Sequence, residues 1–297
     1  MKIKFWGVRG SIPTPGSNTK TYGGNTACIE IITDHPYYLI IDLGSGLKAF
    51  GEDIVCRPKK SENLKIYAFI THTHWDHIMG FPFFVPNFIP NSEINIFGPE
   101  SYEDETLEKV VGGQLSYRYF PVRRDELAAR LSFTSLKEGS MELPGGIRVS
   151  YKYLNHPVLC LGYRLEYEGK VFCTCYDHEP FRNLFADDPD NFAEGEAIAN
   201  EENNKIMEFF RKADFLIMDS QYTVKEYQTK IGWGHGTYKN SIETAHRIGI
   251  KKLALFHHDP HRLDAHLKKL EKYYKEKIKG KSTLEMFVAR EGETIDV

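Results

Sequence analysis

Six consecutive residues constrain this chain more than any others: His72-Thr73-His74-Trp75-Asp76-His77. They follow Ile66-Tyr67-Ala68-Phe69-Ile70-Thr71, an apolar run with the character of a buried strand. The cluster therefore stands where a strand ends and a loop begins. Imidazole nitrogen and carboxylate oxygen are ligands that borderline divalent cations favour. His72 and His74 alternate as in an extended segment and project to one side. Asp76 and His77 follow after the chain has begun to turn and face a second point, a spacing that suits two metal ions rather than one. The competing explanation is a polar loop that happens to be rich in histidine. A lone histidine is commonly structural, but three histidines and an aspartate in this register are not a lone histidine.

A chain of 297 residues exceeds the usual size of one domain, yet one large α/β domain reaches it, and a single domain over residues 1–297 is expected. The formal net charge of −3 supplies no global basic field for nucleic acid. No apolar run approaches the roughly 18 residues of a membrane-spanning helix. Met1–Gly7 reads as an opening strand and not as a signal peptide, because Gly7-Val8-Arg9-Gly10 interrupts it. The five cysteines, an odd number without such a signal, imply free thiols and a cytoplasmic protein. Cys173 and Cys175 lack a second matched pair and read as small buried apolar residues, not as zinc ligands.

Strands are expected over Lys2–Trp6, Cys28–Ile32 and Tyr38–Asp42, with a Gly/Pro loop between the first two. Asp42 ends an apolar strand, where it would either brace a ligand or cap a turn. The aromatic stretch Gly80–Phe88 lines a pocket or, by default, belongs to the core. Further strands are expected at Ile94–Phe97, Ile147–Leu154, Phe215–Met218, Lys252–Phe256 and Leu284–Ala289, with a hairpin of Leu161–Tyr167 and Lys170–Cys175 about Glu168-Gly169. Helical spacing is present at Glu103–Val111, Ile206–Ala213 and Thr237–Ile248, the last closed by Gly249. Leu263, Leu267, Leu270, Tyr274 and Ile278 mark an amphipathic helix whose lysines form a solvated face. Residues 186–204, acidic and poor in large apolar side chains, read as a surface excursion or mobile loop. Four strands run into a candidate ligand: Thr71 into the cluster, Leu154 into His156, Cys175 into Asp177 and Phe256 into His257. Strands of a sheet bring their ends to one edge, so these distant groups would converge.

With His72-x-His74-x-Asp76-His77, Asn155-His156-Pro157, Gly162-Tyr163-Arg164, Tyr176-Asp177 and Phe256-His257-His258-Asp259-Pro260 in view, the sequence resembles the metallo-β-lactamase-fold hydrolase superfamily over almost its whole length. The resemblance implies an α/β fold, a four-layer αβ/βα sandwich of two mixed β-sheets flanked by helices. It implies that His72, His74 and His156 hold one metal, that Asp76, His77 and His257 hold a second, and that Asp177 bridges the two. His257 is preferred to the adjacent His258 because it directly follows the strand. Asp42 corresponds to the family's early aspartate, and Asp42 and Asp219 are candidates for the partners that fix the ligand histidines. A carboxylate at Asp177 speaks against the branch that cleaves β-lactams with cysteine there, and His74 against the di-iron oxidoreductase branch.

Gly232-Trp233-Gly234-His235-Gly236-Thr237 is similar to the His-Ser-Thr element of the tRNA 3′-end endonuclease (tRNase Z) group, with Gly236 where serine is common. The implied role of His235 is proton donor to the leaving oxygen; the plainer alternative is a turn histidine in a glycine-rich loop. Asp76 and His235 are thus the expected catalytic pair, with a metal-bridging hydroxide attacking phosphorus. The ions are most simply Zn²⁺, with Mn²⁺ and Fe²⁺ equally compatible with nitrogen and oxygen ligands. No Gly/Pro-rich basic arm of the kind that grips tRNA is evident, which favours a small phosphodiester such as a cyclic nucleotide over a large nucleic acid. Phe5–Pro13 and Tyr22–Thr26 also look like bacterial members described as cyclic-nucleotide phosphodiesterases. The alternatives are an RNA 3′-processing endonuclease and a metal-binding sensor without turnover. A homodimer is a further expectation, with Val111–Phe120 as an interface or a pocket lid.

Overall fold

The computed structural model describes residues 1–58, 63–101 and 105–297. Within them, two seven-stranded sheets face each other. The first contains β1 (Lys2–Gly7), β2 (Cys28–Ile32), β3 (Tyr38–Ile41), β4 (Lys65–Phe69), β5 (Glu93–Pro99) and β6 (Arg130–Leu136), with β14 (Thr294–Asp296) added beside β1. The second contains β7 (Gly139–Leu143), β8 (Ile147–Leu154), β9 (Cys160–Tyr167), β10 (Lys170–Cys175), β11 (Phe215–Asp219), β12 (Lys252–Phe256) and β13 (Glu285–Val288), in the order 13-12-11-10-9-8-7. Both sheets are mixed in the same way. From β14 to β3, and from β7 to β10, neighbours pair antiparallel; from β3 to β6, and from β10 to β13, they pair parallel.

The parallel strands are apolar on both faces, as expected of strands covered on both sides. Leu39, Ile41, Tyr67 and Phe69 point into the space between the sheets, against Tyr163, Phe172, Phe215, Ile217 and Phe256 of the second sheet. Their alternating neighbours Tyr38, Ile40, Ile66 and Ala68 face outward onto α1 (Gly46–Cys56) and α3 (Leu107–Gly112). Leu216, Met218, Leu253 and Leu255 do the same on the second sheet, against α4 (Phe192–Phe210), α6 (Tyr238–Arg247) and α7 (Asp264–Ile278). The result is the expected four-layer αβ/βα sandwich.

The main correction concerns residues 186–204. Phe192–Phe210 is a 19-residue helix, not a loop followed by a short helix. Its buried positions are Gly195, Ala199, Ile206, Met207 and Phe210, so its first half buries only small residues and carries little apolar signal, while the apolar signal is confined to its last turns. Asn203 anchors it by accepting from the main-chain N–H of Phe181 and donating to the same residue's carbonyl, at 2.9 and 2.8 Å. Strands β6 and β7 were not anticipated either; both are edge strands with exposed faces. The start of the helix expected over 103–111 lies outside the described residues at 103–104, and helix is present over Leu107–Gly112. No helix among the described residues is long and apolar enough to cross a membrane.

Candidate metal centre

Strand ends from both sheets meet at one edge of the sandwich. From the first sheet come Asp42 after β3, and Thr71, His72 and His74 after β4; α2 (Trp75–Ile78) then carries Asp76 and His77. From the second come His156 after β8, Asp177 after β10, Asp219 at the end of β11 and His257 after β12. Asp42, Asp177 and His257 leave their strands with φ of 63°, 39° and 60°, a left-handed conformation that turns the chain sharply at the sheet edge. His72, Asp76, His77, Asp177 and His257 are buried.

The side chains form three overlapping groups, of which one joins Asp177 and His257 to Asp219 and His235 and the other two hold the expected ligands. One ligand atom from each of His72, His74, His156 and Asp177 lies within 4.8 Å of the others, and the same holds for Asp76, His77, Asp177 and His257. Asp177 belongs to both of these ligand groups, one oxygen to each. Its Oδ2 is 3.5 Å from His72 Nε2 and 3.9 Å from His156 Nε2. Its Oδ1 is 3.4 Å from His77 Nε2 and 3.2 Å from His257 Nε2. Asp76 Oδ2 completes the second group, 3.3 Å from His77 Nε2 and 3.2 Å from His257 Nε2. It also accepts from the main-chain N–H of Ser11 at 2.6 Å. His258 stands apart: its Nε2 donates to the carbonyl of Ala289 at 2.9 Å and its ring meets Tyr22 edge-on. The same loop that carries Ser11 needs a glycine at Gly10, where a Cβ would fall 2.4 Å from the His257 ring.

Four of the histidines have one ring nitrogen satisfied from outside the groups. Asp42 Oδ2 accepts from His77 Nδ1 at 2.8 Å, Gln221 Oε1 from His257 Nδ1 at 3.2 Å, and the Gly234 carbonyl from His156 Nδ1 at 3.0 Å. Thr71 Oγ1 donates to Asp42 and accepts from His72 Nδ1 at 3.1 Å. Each bond fixes the tautomer and leaves Nε2 as a lone-pair donor pointing inward. Nitrogen then faces nitrogen: His77 Nε2 and His257 Nε2 are 3.3 Å apart. Lone pairs so placed repel unless they share a cation. Asp177 Oδ1 is buried and accepts no hydrogen bond, which leaves it available in the same way. The donor set therefore fits divalent metal.

The electrostatics agree at His72 and His156, whereas at His77 burial is outweighed by the charges of Asp177, Asp76 and Asp42, which raise the ring well above the usual imidazole range. Burial, then the charge on His77, pushes the His72 ring far below the usual imidazole range. Burial likewise brings His156 down to about 4. Both are neutral, as a ligand must be. Burial opposes ionisation of Asp177, but the surrounding His257, His77 and His72 hold its carboxyl well below the ordinary range.

His235 lies on the link between α5 (Val224–Tyr227) and α6, beside both ligand groups. Its ring stacks on His257 at 5.0 Å and lies 5.4 Å from His156. Asp219 Oδ2 accepts from its Nδ1 at 2.8 Å; Asp219 thus meets His235 and not a histidine of the two ligand groups. Burial disfavours charging this ring, but the charge and hydrogen bond of Asp219, then the charges of Asp177 and Asp76, outweigh it and raise the ring to about 9. Val111–Phe120 packs beside α2, where Gln114 Nε2 donates to the Ile78 carbonyl at 3.2 Å. The partners missing from the sequence reading are Thr71, Gln221 and the Gly234 carbonyl. Thr71 and Gln221 each adjoin or nearly adjoin a residue already singled out, but the Gly234 carbonyl has no signal in residue type.

A family model described as a β-lactamase superfamily domain matches residues 56–258. A ribonuclease Z of Lactococcus lactis subsp. lactis is 22% identical over 292 residues, spanning 86% of this chain and 88% of its own. Among solved structures, the metallo-β-lactamase-fold protein YhfI of Bacillus subtilis superposes with a TM-score of 0.65 at 17% identity, over 99% of both chains. A diphosphatase of the PhnP family gives 0.66 at 15% identity, over 100% of this chain and 97% of its own. The chain belongs to the metallo-β-lactamase-fold superfamily of metal-dependent hydrolases.

Proposed function

We propose that this protein is a dinuclear phosphodiesterase acting on a small phosphodiester, most simply a cyclic nucleotide. The observation that carries the reading is Asp177, which offers Oδ2 to one ligand group and Oδ1 to the other. His72, His74 and His156 would hold one cation, Asp76, His77 and His257 a second, and Zn²⁺ is the simplest occupant of both. When bound, such a pair supplies charge neutralisation for a phosphate and acidifies water at neutral pH. Residues 1–297 act as one domain in this reading, because each sheet contributes part of both ligand groups.

The chain's own residues then account for the remaining steps. Asp219 holds the His235 ring and accepts from Nδ1, so Nε2–H is the proton available to the departing oxygen. A ring raised to about 9 is charged at neutral pH and ready to donate. Asp76 is fixed by the Ser11 N–H and both neighbouring histidines, which keeps it ionised and oriented. The Asp42–Thr71 pair orients His72 and His77 from behind.

The formal net charge of −3 supports a small substrate over a polyanion. RNA 3′ processing is the second reading, supported by the similarity to ribonuclease Z along 86% of the chain. Purified protein, assayed with bis-(p-nitrophenyl) phosphate, a panel of cyclic nucleotides and precursor tRNA, with and without chelator, separates them. Metal-dependent hydrolysis of a cyclic nucleotide supports the proposal, and cleavage of precursor tRNA with inert cyclic nucleotides supports the second reading. No turnover after Zn²⁺ or Mn²⁺ reconstitution leaves a metal-binding sensor.

A further inference from the structure

Two residues beyond Asp177, Glu179 is 3% exposed and inside the protein. A carboxylate taken out of water is strongly disfavoured unless donors surround it. Its donors all come from one segment. Oε1 accepts from the Tyr227 hydroxyl at 2.5 Å and the Gly232 N–H at 2.9 Å; Oε2 accepts from the Gly232 and Gly234 N–H groups, each at 2.9 Å. Arg182 Nε approaches to 3.4 Å from the solvent side. The main chain of Glu179 is pinned as well: its N–H donates to the Asn155 carbonyl at 3.0 Å, and its carbonyl accepts from Asn155 Nδ2 at 2.9 Å. Glu179 therefore joins three segments, the turn before His156, the strand end at Asp177, and the irregular link that carries His235.

Asp219 holds the link at His235 and the Tyr222 N–H holds it at the Gly236 carbonyl, at 2.8 and 3.2 Å, while Glu179 takes the N–H groups of Gly232 and Gly234 between α5 and those anchors. The link follows α5, a helix of four residues, and passes through Gly232 and Gly234 at φ of 86° and 82°. On its inner side there is no slack, since a Cβ on Gly234 would fall 2.2 Å from His156 Nδ1. The Gly234 carbonyl accepts from that same nitrogen. Gly234 thus donates to Glu179 and accepts from His156, with His235 as the next residue.

We propose that Glu179 is a positioning residue: its carboxylate clamps the 232–234 backbone so that His156 keeps its tautomer and His235 stands where the leaving oxygen departs. The inference rests on His235 acting as proton donor. Removing the carboxylate frees the two glycine N–H groups, lets the link drift and costs proton donation before it costs substrate binding.

The test compares wild type, Glu179→Gln, Glu179→Asp, His235→Ala and the double variant E179Q/H235A. Bis-(p-nitrophenyl) phosphate releases p-nitrophenolate, which leaves without a proton; diphenyl phosphate releases the more basic phenolate, which needs one. Glu179→Gln is expected to lose kcat roughly tenfold more on diphenyl phosphate than on the nitrophenyl ester, with KM little changed. His235→Ala shows the same split, the double variant is no worse than His235→Ala, and Glu179→Asp recovers part of the loss. Metal content, read by mass spectrometry, stays at the wild-type level. Equal loss on both esters, or additive losses in the double variant, overturns the inference while leaving the role of His235 intact. An absence of the split in His235→Ala overturns the donor reading and the inference together. If Glu179→Gln does not fold, Tyr227→Phe, which removes one donor and leaves the carboxyl group in place, shows the same split at smaller amplitude; a uniform loss there overturns the inference.

Discussion

Asp42 Oδ2 and His77 Nδ1 lie 2.8 Å apart, both fully buried, and the same carboxylate takes the N–H of Thr71 at 2.7 Å through Oδ1. One aspartate thereby holds a histidine and the strand end that precedes it. Replacing it by asparagine puts an amide N–H₂ where His77 needs an acceptor. Asp42→Asn is expected to weaken metal affinity by roughly 10–100-fold, read by competition with a chromophoric chelator.

Asp219 and His235 form the second such pair, and here the consequence is kinetic. His235→Ala is expected to lower kcat by about 10²–10⁴-fold, the usual worth of a positioned acid, while bound metal per chain is unchanged. Asp219→Asn is expected to lower it less, because the ring remains but is no longer held charged. Loss of metal in His235→Ala would place that ring among the ligands instead.

The proposed ligands come from both sheets, so metal bound by them would require the folded arrangement and would stabilise it. At free metal about 100 times Kd the gain is about 2.7 kcal/mol. Thermal unfolding in excess chelator is expected at lower temperature than with Zn²⁺ restored, with the shift growing with the logarithm of metal concentration. A melting temperature independent of metal would show that these groups do not bind it in the native state.

Phe69 fills the space between the sheets, stacked on Phe97 at 5.0 Å and edge-on to Tyr163 at 5.4 Å. Phe69→Ala is expected to destabilise the protein by about 3–5 kcal/mol, measured by chemical denaturation of the metal-free protein so that lost metal does not inflate the value.

Glu226 caps α5 and pairs with Arg262. Burial favours its neutral form, but the Arg262 and Thr223 hydrogen bonds prevail and hold the carboxyl at about 2, against an ordinary 4.5. Its folded value is the lower one, so its stabilising contribution is complete above about 4.5 and is lost as pH falls towards 2. Glu226→Gln is expected to flatten the acid limb of melting temperature against pH in that window and to leave its slope near neutrality unchanged.

The centre and the fold were not equally legible in the amino-acid sequence. His72–His77 could be read because strand ending and ligand spacing coincide within six residues. The parallel strands could be read because both their faces are apolar. The first half of helix α4 was hidden because its buried positions there are Gly195 and Ala199, where a reader looks for leucine. Gln221 and Glu179 were hidden for another reason: each acts on a loop 36 or more residues away, and nothing in the local pattern of either residue names that partner.

Asp42, Asp177 and His257 bend away from their strands in a left-handed backbone that side chains other than glycine adopt at a cost, about 1 kcal/mol or more each. The folded state carries that cost whether or not substrate is present. Glycine at any of the three would relax the main chain and abolish a contact at the centre, so without metal hardiness and activity pull these positions in opposite directions. Only in metal-free protein would selection for heat resistance be drawn to these three positions; with metal bound, the stability lost with a ligand exceeds the strain relieved.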